Sequence, residues 1–388
     1  MDRGSTTLRL ATGGLVAALA LSACGGTPDK APAQLSSATG EQVLKGVCPD
    51  TVVLQTDWTP QAEHGASYQL LGPDPVIDAD RKRITGRLVT GGADTGVKLE
   101  IRAGGPAIGF QTVTSLLYQD PTITLGQIST DEAAMLAGTQ PTTGVVAPLD
   151  IGPHMIMWDP QKHPAITSIA DLGRTDTKVL YYSSATMMDY LTGSGTLKRG
   201  QVDGSYDGSP AAFVAAGGAV AQQGFATMEP FLYEKQLSQW RKPVKFQLLH
   251  DAGFPIYPEA LSIRANRKAE LAPCLKKLVP MVQRAQVDYL RSPEAVNKLI
   301  VDVTRKYRAG VAYTAEQAAF STEQQLKLKI AGNGHNATIG DFQAERVRRI
   351  IDVVSPIAAG QRKPLPQKLA VEDIATNEFV DPAIGLKP

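Results

Sequence analysis

Residues 51–65 read TVVLQTDWTPQAEHG. The apolar run TVVLQTDW has the composition of a buried strand that ends at Asp57 or Trp58. Thr59-Pro60 then reads as an N-cap followed by proline in the first helical position, opening a helix over AEHGASYQLLG that stops near Gly72. A strand feeding a helix in this way is one unit of a wound α/β sheet. Trp58 stands at the carboxyl end of that strand, either as core or as a flat platform facing a cleft.

The same unit recurs twice. VKLEIRAG (97–104) is a second strand running into Gly104-Gly105-Pro106, and FQTVTSLLYQD (110–120) is an amphipathic helix with Phe110, Val113 and Leu117 on one face. ITLGQIST (123–130) is a third strand entering a helix, DEAAMLAG, capped by Ser129 or Thr130. This β-α-β-α-β-α order predicts a parallel, doubly wound sheet. Two apolar extended stretches, around Pro148–Trp158 and Leu248–Tyr257, bracket a further strand KVLYYS, a helix opened by Ser183 and Ser184, and a strand near GFATME. The organisation implied is two lobes joined by two crossings: residues 48–150 with 256–388, and residues 151–255. Ligands of open α/β sheets bind at the carboxyl ends of strands, hence in the cleft between such lobes.

The N-terminus sets the compartment. Arg3 and Arg9 precede the apolar run ATGGLVAALALSA, shorter than the ~20 residues that span a bilayer. It reads as an export signal over 1–23. Leu21-Ser22-Ala23-Cys24 resembles the lipobox of bacterial lipoproteins, which implies a lipidated Cys24; the alternative is an ordinary cut after Ala23. Residues 24–47, rich in Gly, Pro, Ser and Ala, are expected as a flexible linker. Removal of 1–23 leaves 37 basic and 37 acidic residues, so no field is available to hold nucleic acid or a membrane surface. Cys48 and Cys274 are the remaining cysteines, an even pair in an oxidising compartment and expected as a disulfide rather than two buried thiols.

Catalytic signatures are absent: there is no H-E-x-x-H, C-x-x-C, G-x-S-x-G or Walker A motif. The five histidines share no metal-ligand spacing, so no metal and no cofactor are expected from the sequence, short of a site assembled in three dimensions.

With these segments in place, the chain resembles the extracytoplasmic substrate-binding proteins of ABC importers, within them the nitrate/sulfonate/thiamine-precursor group. The carriers are VVLQTDWTPQAEHGASYQLLG, similar to that group's strand-D-W-x-P-x-x-x-H-x-G opening, then LEIRAGGPA, TLGQISTDEAAML, ITSIADLGRTDTKVLYYSS and GFATMEPFLYE, covering about residues 50–330. The resemblance implies a periplasmic-binding-protein type II fold and a monomer that passes a small molecule to a permease and its ATPase, held to the membrane by its lipid. Pyrimidine-synthesising enzymes share that superfamily, but their cysteine-rich cluster is absent here. An envelope ligand sensor of similar fold is a further alternative.

Candidate cleft residues are Trp58 and His64, Gly104 and Gly105, Ser129 and Thr130, Ser183, Ser184 and Thr186, and Glu229. For the hydroxyls, helix capping competes with ligand contact; for Glu229, a solvated strand end or a pair with Lys235 does. The one fixed cation of these loops is Arg102, against Asp131 and Glu229. That balance favours a neutral, amine-bearing aromatic ring such as a thiamine pyrimidine precursor over nitrate or a sulfonate, which want Arg, Lys or free amides.

Overall fold

The 51–55 run is indeed a strand, and it lies inside a sheet with neighbours on both sides. In chain order the strands are β1 Ser36–Ser37, β2 Thr51–Gln55, β3 Val76–Asp78, β4 Arg83–Thr90, β5 Ala93–Arg102, β6 Leu125–Ile128, β7 Thr142–Val146, β8 His154–Trp158, β9 Val179–Leu180, β10 Val202–Asp203, β11 Ala221–Phe225, β12 Lys245–Leu248 and β13 Ala260–Arg264. The computed structural model describes residues 35–183, 185–308 and 313–387. The expected signal segment 1–23, Cys24 and Ser184 lie outside them. Among the described residues no helix is long and apolar enough to cross a membrane.

Two sheets result. The first runs β3-β4-β5-β2-β6-β13-β7, with β1 on β5; the second runs β10-β9-β11-β8-β12. In the first, β2 pairs parallel with both β5 and β6. The sheet is nevertheless mixed rather than parallel throughout, because β13 is antiparallel to β6 and β7, and β4 is antiparallel to β5. The sequence reading missed β4. Its hairpin turn is Gly91-Gly92, with φ of 54° and 79°, the left-handed pair that matches strand twist in a two-residue loop.

Local corrections follow from packing. The helix after Trp58 does not open at Pro60: a short 3-10 turn Ala62–His64 leads into Gly65–Gln69, with Gln61 at the cap position. Gly65 is required there by close approach, since a Cβ would lie 2.1 Å from the Tyr289 ring of the helix Lys268–Arg291. The expected linker also ends early. Ser36 and Ser37 pair with Ala93 and Asp94, and Leu44 is fully buried with its N–H donating to Thr95 O at 3.0 Å. A single leucine in a Gly/Pro/Ser-rich segment supplies the apolar contact that composition alone obscured.

The helix Lys268–Arg291 lays Leu271, Leu275, Leu278 and Val282 into the core beneath the first sheet. Cys274 on this helix is bonded to Cys48 just before β2, with the Cα atoms 4.8 Å apart.

The chain leaves the first sheet after β7 and returns through 249–259 into β13. The first crossing is shorter than Pro148–Trp158, because its second half is β8. The second is not extended, because Phe254 N–H donates to Leu249 O at 2.9 Å and closes a turn. Arg346, on the helix Ala344–Gly360, holds both crossings. Its guanidinium donates to Asp150 Oδ1 at 2.8 Å and to Asp150 O on the first. On the second it donates to Pro255 O and Ile256 O at 2.7 Å each, while lying 3.8 Å from the Tyr257 ring centroid.

The disulfide closes a separation of 226 residues, for which the chain-entropy model sets an upper value of roughly 5 kcal/mol. Replacing both cysteines by alanine is expected to lower the unfolding free energy by about 2–5 kcal/mol in denaturant titrations. Non-reducing peptide maps in which both thiols alkylate freely in the native protein would remove the bridge from this account.

Candidate functional site

The site starts where β2 ends. Thr56 Oγ1 donates to Trp58 O at 2.9 Å, and the N–H groups of Gly104 and Gly105 donate to Trp58 O and Asp57 O, each at 2.9 Å. A Cβ on Gly104 would lie 2.3 Å from Thr56 O, and one on Gly105 2.7 Å from the Trp58 ring. The glycine pair therefore serves the approach of the Trp58 loop. Its amides are spent on that loop, which differs from the expected role of contacting ligand directly.

Trp58 is half-buried. Its ring centroid lies 5.9 Å from Phe110, and Phe110 lies 6.0 Å from Tyr182. The three rings form a row from the end of β2 to the loop after β9, joining segments of both sheets. Phe110 is 51% exposed and has φ of 59°, an uncommon backbone for an aromatic residue. Sequence reasoning placed it on a helix face. The helix instead begins at Val113, with Thr112 Oγ1 accepting from Ser115 N–H at 3.2 Å. The available signal was Gly109 immediately before it, a residue suited to a left-handed turn.

Beside the rings lies a group of carboxylates and imidazoles. His64 is buried, and its Nε2 is 3.2 Å from Asp57 Oδ1 and 3.9 Å from Glu259 Oε2. Gln127 orients both acids: its Nε2 donates to Glu259 Oε2 at 3.3 Å, and its Oε1 accepts from Asp57 N–H at 3.4 Å. Burial, then the charges of Asp57 and Glu63, push the Glu259 carboxyl well above its ordinary range. Glu63 is also buried; it accepts from Thr227 Oγ1, just beyond β11, and from Ser321 Oγ at 3.2 Å. The Thr227 bond connects the first-sheet loop to the second sheet, and the Ser321 bond ties it to the helix Ala315–Lys327.

For Glu229 the alternatives to a ligand role were a solvated strand end or a pair with Lys235, and neither of those holds. It opens the short helix Glu229–Phe231, is buried, and accepts from Phe225 N–H at 2.6 Å; Lys235 pairs with Glu234. Burial raises its carboxyl to about 7 against the lowering effect of the Phe225 bond. Glu132 is likewise raised to about 7, by burial first, while accepting from Thr114 Oγ1 at 2.6 Å. Burial lowers His154, which feels Asp131 and Asp57.

These groups are contiguous and unneutralised. Among the described residues no Lys or Arg forms an ion pair with Asp57, Glu63, Asp131, Glu132, Glu229 or Glu259. Arg102, read as the cation of the cleft, is tied to Glu100 at 2.6 Å and Asp120 at 2.7 Å. It is structural, at the end of β5. The sequence could not show His154 and Glu259 as neighbours of Asp57 and Glu63, because they come from segments about 90 and 200 residues further along.

The hydroxyl candidates separate. Thr130 is buried and structural: its Oγ1 accepts from Tyr257 N–H at 3.0 Å. Ser129 is the N-cap of Thr130–Leu136 but makes no side-chain cap bond. Thr186 starts the helix Thr186–Gly193, whose cap residue is Ala185 rather than a serine. Ser183 is exposed in the turn next to Tyr182.

No model of a known protein family and no curated protein matches the sequence. Solved structures do resemble it. The alkanesulfonate-binding protein SsuA of Xanthomonas axonopodis pv. citri, bound to MOPS, superposes with a TM-score of 0.53 at 13% identity, covering 84% of this chain and 98% of that one. The periplasmic aliphatic sulphonate-binding protein SsuA of Escherichia coli gives 0.52 at 14% identity, over 83% and 94%. At these identities the likeness concerns the fold, and it places the two-sheet architecture in the periplasmic-binding-protein type II class.

The Glu229 shift fixes a pH dependence. A carboxyl raised from 4.5 to about 7 on folding keeps its proton longer in the native state, so its contribution to stability falls as pH rises across that window. Glu229→Gln should be more stable relative to wild type at pH 8 than at pH 5 by about 3 kcal/mol, from the ~1.4 kcal/mol per pKa unit. Urea titrations at the two pH values measure this; equal differences would show that Glu229 ionises as it does in the unfolded chain.

Proposed function

We propose that the chain is the extracytoplasmic substrate-binding component of an ABC importer, anchored through a lipidated Cys24, which captures a small amine-bearing aromatic heterocycle and delivers it to a permease. The carrying observation is the row Trp58–Phe110–Tyr182 set beside carboxylates that have no Lys or Arg partner. An aromatic ring stacks on such side chains, and a ring amine donates to a carboxylate, most accessibly Asp57, whose side chain is 40% exposed. A thiamine pyrimidine precursor has this chemistry. Lobes of residues 48–150 with 256–388, and 151–255, would close on it about the crossings held by Arg346. Only a ligand touching both has the differential affinity to favour the closed form.

A sulfonate or nitrate-type anion is the second reading, favoured by the binding proteins whose fold is similar. The charge around the site weighs against it. An unpaired acidic group repels an anion, and Arg102, the cation the sequence offered for these loops, is already engaged.

Native mass spectrometry of the purified protein, followed by calorimetry with an aminopyrimidine and with an alkanesulfonate, separates the two. Trp58→Ala should weaken the aromatic ligand by about 1–3 kcal/mol, taking base–aromatic stacking as the guide, with the unliganded melting temperature nearly unchanged. Saturable binding of the sulfonate alone would reverse the ligand assignment.

A further inference from the structure

Asp57, His64 and Glu259 bring one ligand atom each to a single point. His64 Nε2, Asp57 Oδ1 and Glu259 Oε2 all lie within 4.8 Å of one another, the first two on the loop after β2 and the third just before β13. The His64 separations, 3.2 and 3.9 Å, are those of donors sharing an ion at about 2.0–2.2 Å from each. A set of one imidazole and two carboxylates suits a divalent first-row transition metal.

Two further features distinguish this cluster from acids crowded by chance. The first is orientation. Gln127 fixes Glu259 through its amide N–H and the Asp57 backbone through its carbonyl, the outer-shell arrangement that aims metal ligands. The second is charge. Glu259 is 3% exposed and has no Lys or Arg partner, so its carboxylate and that of Asp57 are compensated only by an imidazole. His64, a residue 1% exposed, turns Nε2 rather than Nδ1 toward both carboxylates. The Asp57 side chain is 40% exposed, which leaves an entry path from solvent.

We infer that Asp57, His64 and Glu259 form a three-ligand site for one divalent transition-metal ion at the base of the aromatic row. The inference does not depend on the organic ligand or on transport. An ion there would neutralise the two carboxylates, and it would offer an open position to a donor atom of whatever molecule enters.

The test uses the full mature chain, stripped with a chelator and dialysed, then titrated with zinc and with manganese by calorimetry. Bound metal is counted by mass spectrometry, and cobalt substitution is followed by visible absorption. One equivalent should bind. Glu259→Gln and Asp57→Asn should abolish saturable uptake, and Gln127→Leu, which keeps all three ligands, should weaken it about 10–100-fold. Circular dichroism and melting curves report whether each variant is folded, and Gln127→Leu carries the comparison if a ligand variant is not. No saturable uptake by the wild-type chain, or uptake unchanged in both Glu259→Gln and Gln127→Leu, overturns the site. Aminopyrimidine binding measured in excess chelator is read separately, so failure of the importer reading leaves the metal result standing.

Discussion

The arrangement of the molecule turns on Arg346. Its guanidinium, only 9% exposed, satisfies the carboxylate and carbonyl of Asp150 on one crossing and two carbonyls on the other. Each of those acceptors sits in irregular chain with no strand partner to take it, so one planar fork replaces a ladder of backbone bonds. Breaking a buried pair of this kind typically costs about 3–5 kcal/mol, because the surviving charge is left without a partner. Loops of the two sheets also meet directly, where Glu63 accepts from Thr227 and where Phe110 lies beside Tyr182.

The region those loops enclose is expensive to build. Burial raises Glu132 and Glu229 to about 7, so around neutral pH part of this acidity is held as protonated carboxyl, and it pushes Glu259 well above its ordinary range. A protein selected for stability alone would replace such groups with apolar side chains of similar volume, often at no loss. Local rules are broken where function requires it and compensated elsewhere. Here the compensation is visible in Gln127, Thr227, Ser321 and the Phe225 amide, each donating to an acid that has no cation. The fold is shared with sulfonate-binding proteins.

Trp58 shows how the two levels of reading divide. Its position at the carboxyl end of a strand followed from the loss of the apolar pattern at Asp57, and the structure puts it there, half-buried, against Gly105 and Phe110. The nearby Pro60 misled the helix assignment, since a proline suits a first helical turn equally well when the chain is still bending. Phe110 misled it in the other direction: a helical spacing to Val113 and Leu117 outweighed the Gly109 beside it.

Local pattern determined the alternating strand and helix units, the expectation of parallel strands and the cysteine pair, because each depends on short-range period, composition or a count of thiols. Whether a hydroxyl capped a helix, which cation faced the cleft, and which acids met His64 were decided only by tertiary structure. Asp57 and Glu259 stand about 200 positions apart, on a loop and on a returning crossing, and no periodicity links them. Their meeting is fixed by the antiparallel docking of β13 against β6, which carries Glu259 to the end of the sheet where β2 releases Asp57.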